Sequence, residues 1–299
     1  MVELQEEPDG RFARGFGGDT LNTAVYLARL GIAVDYVTAL GDDAWSDEMR
    51  AAWQREGVGT ALVVRCAGLM PGLYVIQTDR RGERRFLYWR DSAAARRLFT
   101  LPDSPRIVAA LADYRMIYYS GISLSLYGDD GRRILAEALR GARQSGATIA
   151  FDTNFRPRGW PDRDVARAAF RHAIGGADLV FASAEDLAPL FGATWEGELA
   201  VAAPSAELVL KRPDPCCVIR CGQAPPLSVP AAPVAAVVDT TAAGDSFAAA
   251  YLAARFAGQP PVDAAAAGHA LAGVVVTHRG AIIPAGAMPP RGPTVGATR

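Results

Sequence analysis

Short apolar runs alternate with amphipathic stretches of helical period along most of this chain, which predicts a mainly parallel sheet covered by helices. Strands are expected at 34–40, 116–120, 148–152, 178–183 and 207–211, with 216–221 as a further buried run. Helices are expected over 19–30, 46–56, 131–144, 163–173, 244–256 and 263–277. Asp19 or Thr20 supplies a cap for the first helix and Gly31 a stop. Residues 62–90 break the rhythm. Three β-like runs, 62–64, 73–78 and 85–89, lie between Gly/Pro turns with no helix among them, the pattern of an antiparallel insert. The expected division is therefore an α/β core of residues 1–60 and 91–299, with a small β lid of residues 61–90. Internal repeats are absent, and composition is biased only in the Pro/Ala-rich stretch 224–236 and the tail after Pro289.

Composition narrows the partners. The 299 residues, half of them hydrophobic, suit one large α/β domain or two smaller ones. A net charge of −1 without any Lys/Arg run argues against nucleic acid or a membrane surface as partner. No apolar run approaches the ~20 residues of a membrane helix. Lys211 is the single lysine among 31 basic residues. Four cysteines are too few for a disulfide framework and no apolar leader precedes Gly15, so a reducing cytoplasm is expected. Cys216, Cys217 and Cys221 have no standard zinc spacing and read as part of a buried strand.

The segment Asp239-Thr240-Thr241-Ala242-Ala243-Gly244-Asp245-Ser246-Phe247 carries the most chemistry. Val234, Val237 and Val238 read as the end of an apolar strand and 247–256 as a buried helix, which puts the segment at a strand-to-helix turn. Backbone N–H groups of Ala242, Ala243 and Gly244, left unpaired at a helix start, would make an anion site. Asp245 beside it either caps the helix or takes a proton from a hydroxyl while the turn holds a phosphoryl group. No Gly-x-x-x-x-Gly-Lys-Ser/Thr loop exists, so any use of ATP is not of the P-loop kind.

Three further clusters have both a plain and a chemical reading. Gly17-Gly18 form a tight turn capped by Asp19, or let a small ligand approach the backbone while Asp19 and Asn22 bond its hydroxyls. Tyr88-Trp89-Arg90 is an amphipathic strand end, or an aromatic and a guanidinium facing a carboxylate. Asp152-Thr153-Asn154-Phe155-Arg156-Pro157-Arg158 is a solvated basic loop, or a ligand loop at the C-terminal sheet edge.

Residues 239–247 resemble the C-terminal signature of the ribokinase-like (PfkB) sugar kinases, and Gly17-Gly18-Asp19-Thr20-Leu21-Asn22-Thr23-Ala24 resembles their N-terminal Gly-Gly signature. The segments between are similar to one branch, the 2-keto-3-deoxygluconate kinases, and the resemblance runs from about residue 2 to 288. It implies a ribokinase-like three-layer α/β/α fold and ATP-dependent phosphorylation of a sugar acid, with Asp245 as base and Ala242, Ala243 and Gly244 as the transition-state hole. Substrate contacts are implied at Gly17, Gly18, Asp19, Asn22, Tyr88, Arg90 and Arg156. Nucleotide contacts are implied at Asn154, Arg156, Ser183, Lys211 and Thr241, with Arg158 a further cation. Ser183-Ala184-Glu185-Asp186 is similar to an element that orders water around Mg²⁺, which points to Asp186 first and Glu185 second; Ser183 serves equally well as a helix cap. Mg²⁺ is expected in order to neutralise the triphosphate. The lid is implied to double as a subunit contact, giving a homo-oligomer. A fructokinase-like enzyme for a neutral sugar, or a catalytically weakened sugar-binding relative, stays open at this point.

Two departures from the pattern carry expectations. Relatives in the resembled family begin with about ten more residues of strand before the equivalent of Met1, and its absence is expected to lower stability by ~1–3 kcal/mol per unpaired buried group. Pro213 and Pro215 stand where the family has a Gly-rich loop against the nucleotide, so altered ATP binding is expected.

Overall fold

Two units, Met1–Ile107 and Val108–Arg299, emerge in a computed structural model that describes residues 1–7, 9–78 and 84–289. The N-terminal unit contains β1 (Val2–Glu6), β2 (Phe12–Phe16), α1 (Asp19–Arg29), β3 (Thr38–Leu40), α2 (Ala44–Arg55), β4 (Val63–Arg65), β5 (Leu73–Thr78) and β6 (Arg84–Trp89). Four of these strands form one sheet in the order β2-β1-β5-β6. Strand β1 pairs antiparallel with β2 and parallel with β5, which pairs antiparallel with β6.

The insert is therefore wider than its own segment predicts. Residues 2–16 supply half of the sheet, whereas 63–65 leave it to pair in parallel with 38–40. Local alternation cannot reveal this, because strand partners are chosen by non-local packing. The turn at 79–83 lies outside the described residues, as does the tail from 290 onward. Strand 34–40 contracts to Thr38–Leu40 with one isolated bridge from Asp35 to Gly59. Helix α1 buries Leu21, Val25 and Tyr26 and ends, as expected, before Gly31 at φ 90°. Its cap position is Gly18 rather than Asp19 or Thr20, both of which lie within the helix.

After α3 (Ser104–Ala110), the C-terminal unit follows the predicted alternation closely. It runs β7 (Met116–Ser120), α4 (Gly121–Leu126), α5 (Asp129–Gln144), β8 (Thr148–Asp152), α6 (Arg163–Gly176), β9 (Leu179–Ser183), α7 (Ala184–Phe191) and α8 (Trp195–Ala202). It continues with β10 (Glu207–Lys211), β11 (Cys216–Cys221), β12 (Leu227–Pro230), α9 (Ala243–Phe256) and α10 (Pro261–Val275). Strands β7 to β10 are parallel and β11 and β12 antiparallel, in the sheet order β12-β11-β10-β9-β8-β7.

Two aromatic groups fix the parts that matter. Phe170 of α6 meets Phe151, Phe155 and Trp160 edge-on at ring distances of 5.5–5.8 Å. Phe247 and Tyr251 of α9 meet Phe181 of β9 at 6.4 and 5.4 Å, which pins the start of α9 to the sheet. Such pairs add about 0.5–1.5 kcal/mol each beyond the area they bury. Gly268 of α10 leaves room for this, since a Cβ there would stand 2.7 Å from the Phe247 ring. The expected apolar strand end at 234–238 does not form: Val237 and Val238 are exposed, and β12 stops at Pro230. Pro230 and Pro233 remove ladder donors there, and the Val238 and Asp239 N–H groups donate to the Val276 carbonyl instead. Among the described residues no helix is long and apolar enough to cross a membrane.

Candidate active site

The C-terminal ends of β8, β9 and β10 deliver Asp152, Ser183 and Lys211 to one edge of the sheet, since Lys211 is the register partner of Ser183 and Asp152 that of Phe181. Lys211 Nζ lies 3.2 and 3.3 Å from the two oxygens of the buried Asp152 carboxylate. Burial pulls the Lys211 ammonium down, but Asp152, Asp186 and Asp245 outweigh it and hold its pKa above the ordinary lysine value.

Asp186, also buried, is held from three sides. Its Oδ2 accepts from the hydroxyls of Thr153 at 3.0 Å and Ser183 at 2.9 Å, and its Oδ1 pairs with Arg156 at 3.2 Å. Ser183 does cap α7, through the Asp186 N–H. The loop after β8 has a backbone reason for its shape. Asn154 sits at φ 26°, a conformation that asparagine tolerates better than most residues. A Cβ on Gly121 would collide with the Thr153 carbonyl and with Phe170. Arg158 and Glu185 are exposed.

The turn before α9 is built as its composition suggests, with two corrections. Ala242 occupies the cap position in the left-handed conformation, φ 59° and ψ 16°, and makes no side-chain capping bond. Asp245 is the third residue of the helix, so the capping alternative does not describe it. The Ala243 N–H donates to the Thr240 carbonyl at 3.2 Å and is therefore not part of an open anion hole. The N–H of Gly244 meets no acceptor among the described residues, and Lys211 Nζ stands 3.7 Å from the place a Gly244 Cβ would take. Sequence reading missed the anchor of this turn. Asp239, buried, accepts the Thr241 N–H at 2.9 Å and the Gly280 N–H at 2.7 Å.

In the N-terminal unit, Gly17 and Gly18 lead into α1. A Cβ on Gly17 would lie 2.5 Å from the Tyr74 hydroxyl, so the glycine is demanded by a close approach. That hydroxyl hydrogen-bonds Glu3 across the sheet. Asp19 opens α1, and Asn22 is buried one turn later, its N–H donating to the Gly18 carbonyl at 2.8 Å. The Arg90 guanidinium lies over the Tyr88 ring at 4.8 Å, and Tyr88 neighbours Tyr74 at 5.9 Å. Tyr74 and Glu3 carried no signal in the sequence, because only strand register brings them to this face.

No group of three or more His, Cys, Asp or Glu that could hold a metal ion occurs among the described residues. Asp186 already takes three donors and Glu185 is exposed, an arrangement suited to ordering water rather than to ligating an ion directly. His269 packs structurally, against Phe247 at 5.0 Å with Nε2 3.0 Å from the Val229 carbonyl.

Known proteins share sequence and fold with this chain. The model of the pfkB family carbohydrate kinases matches residues 3–287. A 2-dehydro-3-deoxygluconokinase of Dickeya dadantii (strain 3937) is 44% identical, covering 97% of this chain and 96% of the relative. The 2-dehydro-3-deoxygluconokinase of Escherichia coli (strain K12) is 41% identical with the same coverage. Among solved structures, a fructokinase with bound ATP from Xylella fastidiosa superposes with a TM-score of 0.81 at 26% identity, covering 97% of this chain and 92% of that one.

Proposed function

The chain belongs to the PfkB family of carbohydrate kinases, and from that premise we infer that it transfers the γ-phosphoryl group of ATP to the terminal hydroxyl of 2-keto-3-deoxygluconate, giving 2-keto-3-deoxy-6-phosphogluconate. Its fold is the ribokinase-like α/β one, with a mainly parallel sheet. The observation that carries the chemistry is the start of α9, where the Gly244 N–H and the Asp245 carboxylate share one turn and the Lys211 ammonium approaches from β10.

Asp245 takes the hydroxyl proton as the new O–P bond forms and the bond from the γ-phosphorus to its bridging oxygen breaks, releasing ADP. The N–H groups of Ala242 and Gly244 receive the negative charge that develops, and Lys211 and Arg156 spread positive charge around it. Asn154, Ser183 and Thr241 serve the nucleotide. Gly17 and Gly18 with Asp19 and Asn22 take the sugar hydroxyls, while Tyr88 covers the sugar face and Arg90 pairs with the carboxylate. Mg²⁺ neutralises triphosphate charge when bound; Asp186 would meet it only through water.

The β2-β1-β5-β6 sheet turns Trp89, 58% exposed, and its register partner Leu73 to the face opposite Tyr74 and Tyr88, which supports pairing with a second copy. The free thiols of Cys66, Cys216, Cys217 and Cys221 support a reducing, cytoplasmic setting.

A coupled ADP-release assay across sugar acids and neutral ketoses tests the reading. Asp245→Asn is expected to lower kcat by about 10² or more. Arg90→Ala is expected to raise KM for the sugar acid about tenfold while leaving any turnover of fructose unchanged. Near-wild-type turnover of Asp245→Asn sinks the assignment, and a preference for fructose that is insensitive to Arg90 replaces the substrate.

A further inference from the structure

Lys211 is the one lysine in a chain that uses arginine at its other basic positions, and its side chain is largely covered, 25% exposed. Its ammonium meets both oxygens of Asp152 at 3.2 and 3.3 Å, and the Tyr118 hydroxyl of β7 donates to Asp152 Oδ2 from behind at 3.4 Å. Strand β7 thus supplies the hydroxyl, β8 the carboxylate and β10, beyond β9, the ammonium that reaches the Gly244 turn. The compact ammonium fits this spacing. A guanidinium would replace this point charge by a planar fork of fixed geometry.

We propose that Asp152 is a positioning residue for phosphoryl transfer: with Tyr118 behind it, its carboxylate holds the Lys211 ammonium against the Gly244 turn, where that charge meets the phosphates of ATP. This rests on the kinase reading above but assigns Asp152 a role of its own. A free lysine side chain has four rotatable bonds and would have to be ordered anew by each nucleotide; one clamped by a buried carboxylate is already placed.

The groups facing Lys211 are Asp152 from β8, Asp186 from α7 and Asp245 from α9, with Arg156 engaged on Asp186. Burial works against the ammonium and these carboxylates work for it. Removing the Asp152 charge tips that balance towards the neutral amine. In the wild type the ammonium persists beyond the ordinary lysine value; in Asp152→Asn it is lost as pH rises from a lower value.

Because the chain has one lysine, protein grown with [ε-¹³C]lysine shows a single lysine side-chain signal, so the clamp is read directly. The signal of the wild type is expected to titrate above the ordinary value of ~10.4, and that of Asp152→Asn at least about one pH unit lower than wild type. Adding ATP is expected to shift the wild-type signal and to shift the variant's less. In kinetics, Asp152→Asn is expected to lower kcat about tenfold or more and to lose activity further as pH rises. In a Lys211→Ala background the same substitution is expected to cost nothing more. Tyr118→Phe, which keeps the ring packing, gives a smaller loss of the same kind and stands in if Asp152→Asn does not fold. Equal titration midpoints, or equal losses with and without Lys211, would overturn the proposal. A wild type without ADP release but with the expected titration overturns the kinase reading and leaves the clamp standing.

Discussion

Asp239 is the residue on which the geometry of the catalytic turn depends most sharply. Its carboxylate is 5% exposed and accepts two backbone N–H groups, from Thr241 at 2.9 Å and from Gly280 at 2.7 Å. It thereby ties the segment that ends in the left-handed Ala242 to the chain that follows α10. Asp239→Ala leaves two part-buried donors without their acceptor, at about 1 kcal/mol each, so a loss of roughly 2 kcal/mol is expected. Asp239→Asn keeps one acceptor and turns an NH₂ group towards the other donor, so about half of that loss is expected. Against a total stability of ~5–15 kcal/mol either change is large. Urea unfolding of the ligand-free variants measures it, as a lowered midpoint at unchanged m. Since the released turn no longer presents the Gly244 N–H and Asp245 in one arrangement, kcat is expected to fall along with stability. An Asp239→Ala protein within about 0.5 kcal/mol of wild type refutes the energetic argument. One that loses stability but keeps its kcat refutes the claim that this tether shapes the turn.

Two further outcomes test other parts of the molecule. The hairpin tip between β10 and β11 is closed by the Arg212 N–H on the Cys216 carbonyl at 3.1 Å, with Pro213, Asp214 and Pro215 exposed. Pro213→Gly is expected to lower the KM for ATP about threefold or more by freeing φ at this loop, and an unchanged KM counts against a proline constraint on the nucleotide. Burial pushes the Cys217 thiol from its ordinary 9.0 up to about 12. A thiol acid held protonated in the folded chain contributes stability that is fully present below pH 9 and lost as pH climbs from there towards 12. Wild-type stability is therefore expected to fall more steeply than that of Cys217→Ala between pH 9 and 11, by up to about 1.4 kcal/mol per pH unit, and parallel curves would disprove it.

The long helices α5, α6, α9 and α10 and the parallel strands of the C-terminal unit were legible from local pattern, whereas the short α4, α7 and α8 were not, because a helix of two turns writes too few periods to be read. Legible too were the small residues and the acid at 242–245, whose types already limit what the backbone can do there. Pairing decided the rest. That residues 2–16 join 73–89 in one sheet, placing Glu3 and Tyr74 beside Gly17, follows from cross-strand register, which no single segment encodes. That valines 237 and 238 stay outside the sheet follows from the prolines before them and from the Val276 carbonyl that takes the Val238 and Asp239 N–H groups. Asp239, Asp152 and Tyr118 gained their roles the same way: only the fold brings the two carboxylates against their donors, and the Tyr118 hydroxyl against Asp152. The sequence by itself determined the chemistry available and the class of fold. The tertiary structure decided which charges meet, because burial and hydrogen-bond partners are properties of neighbours distant along the chain.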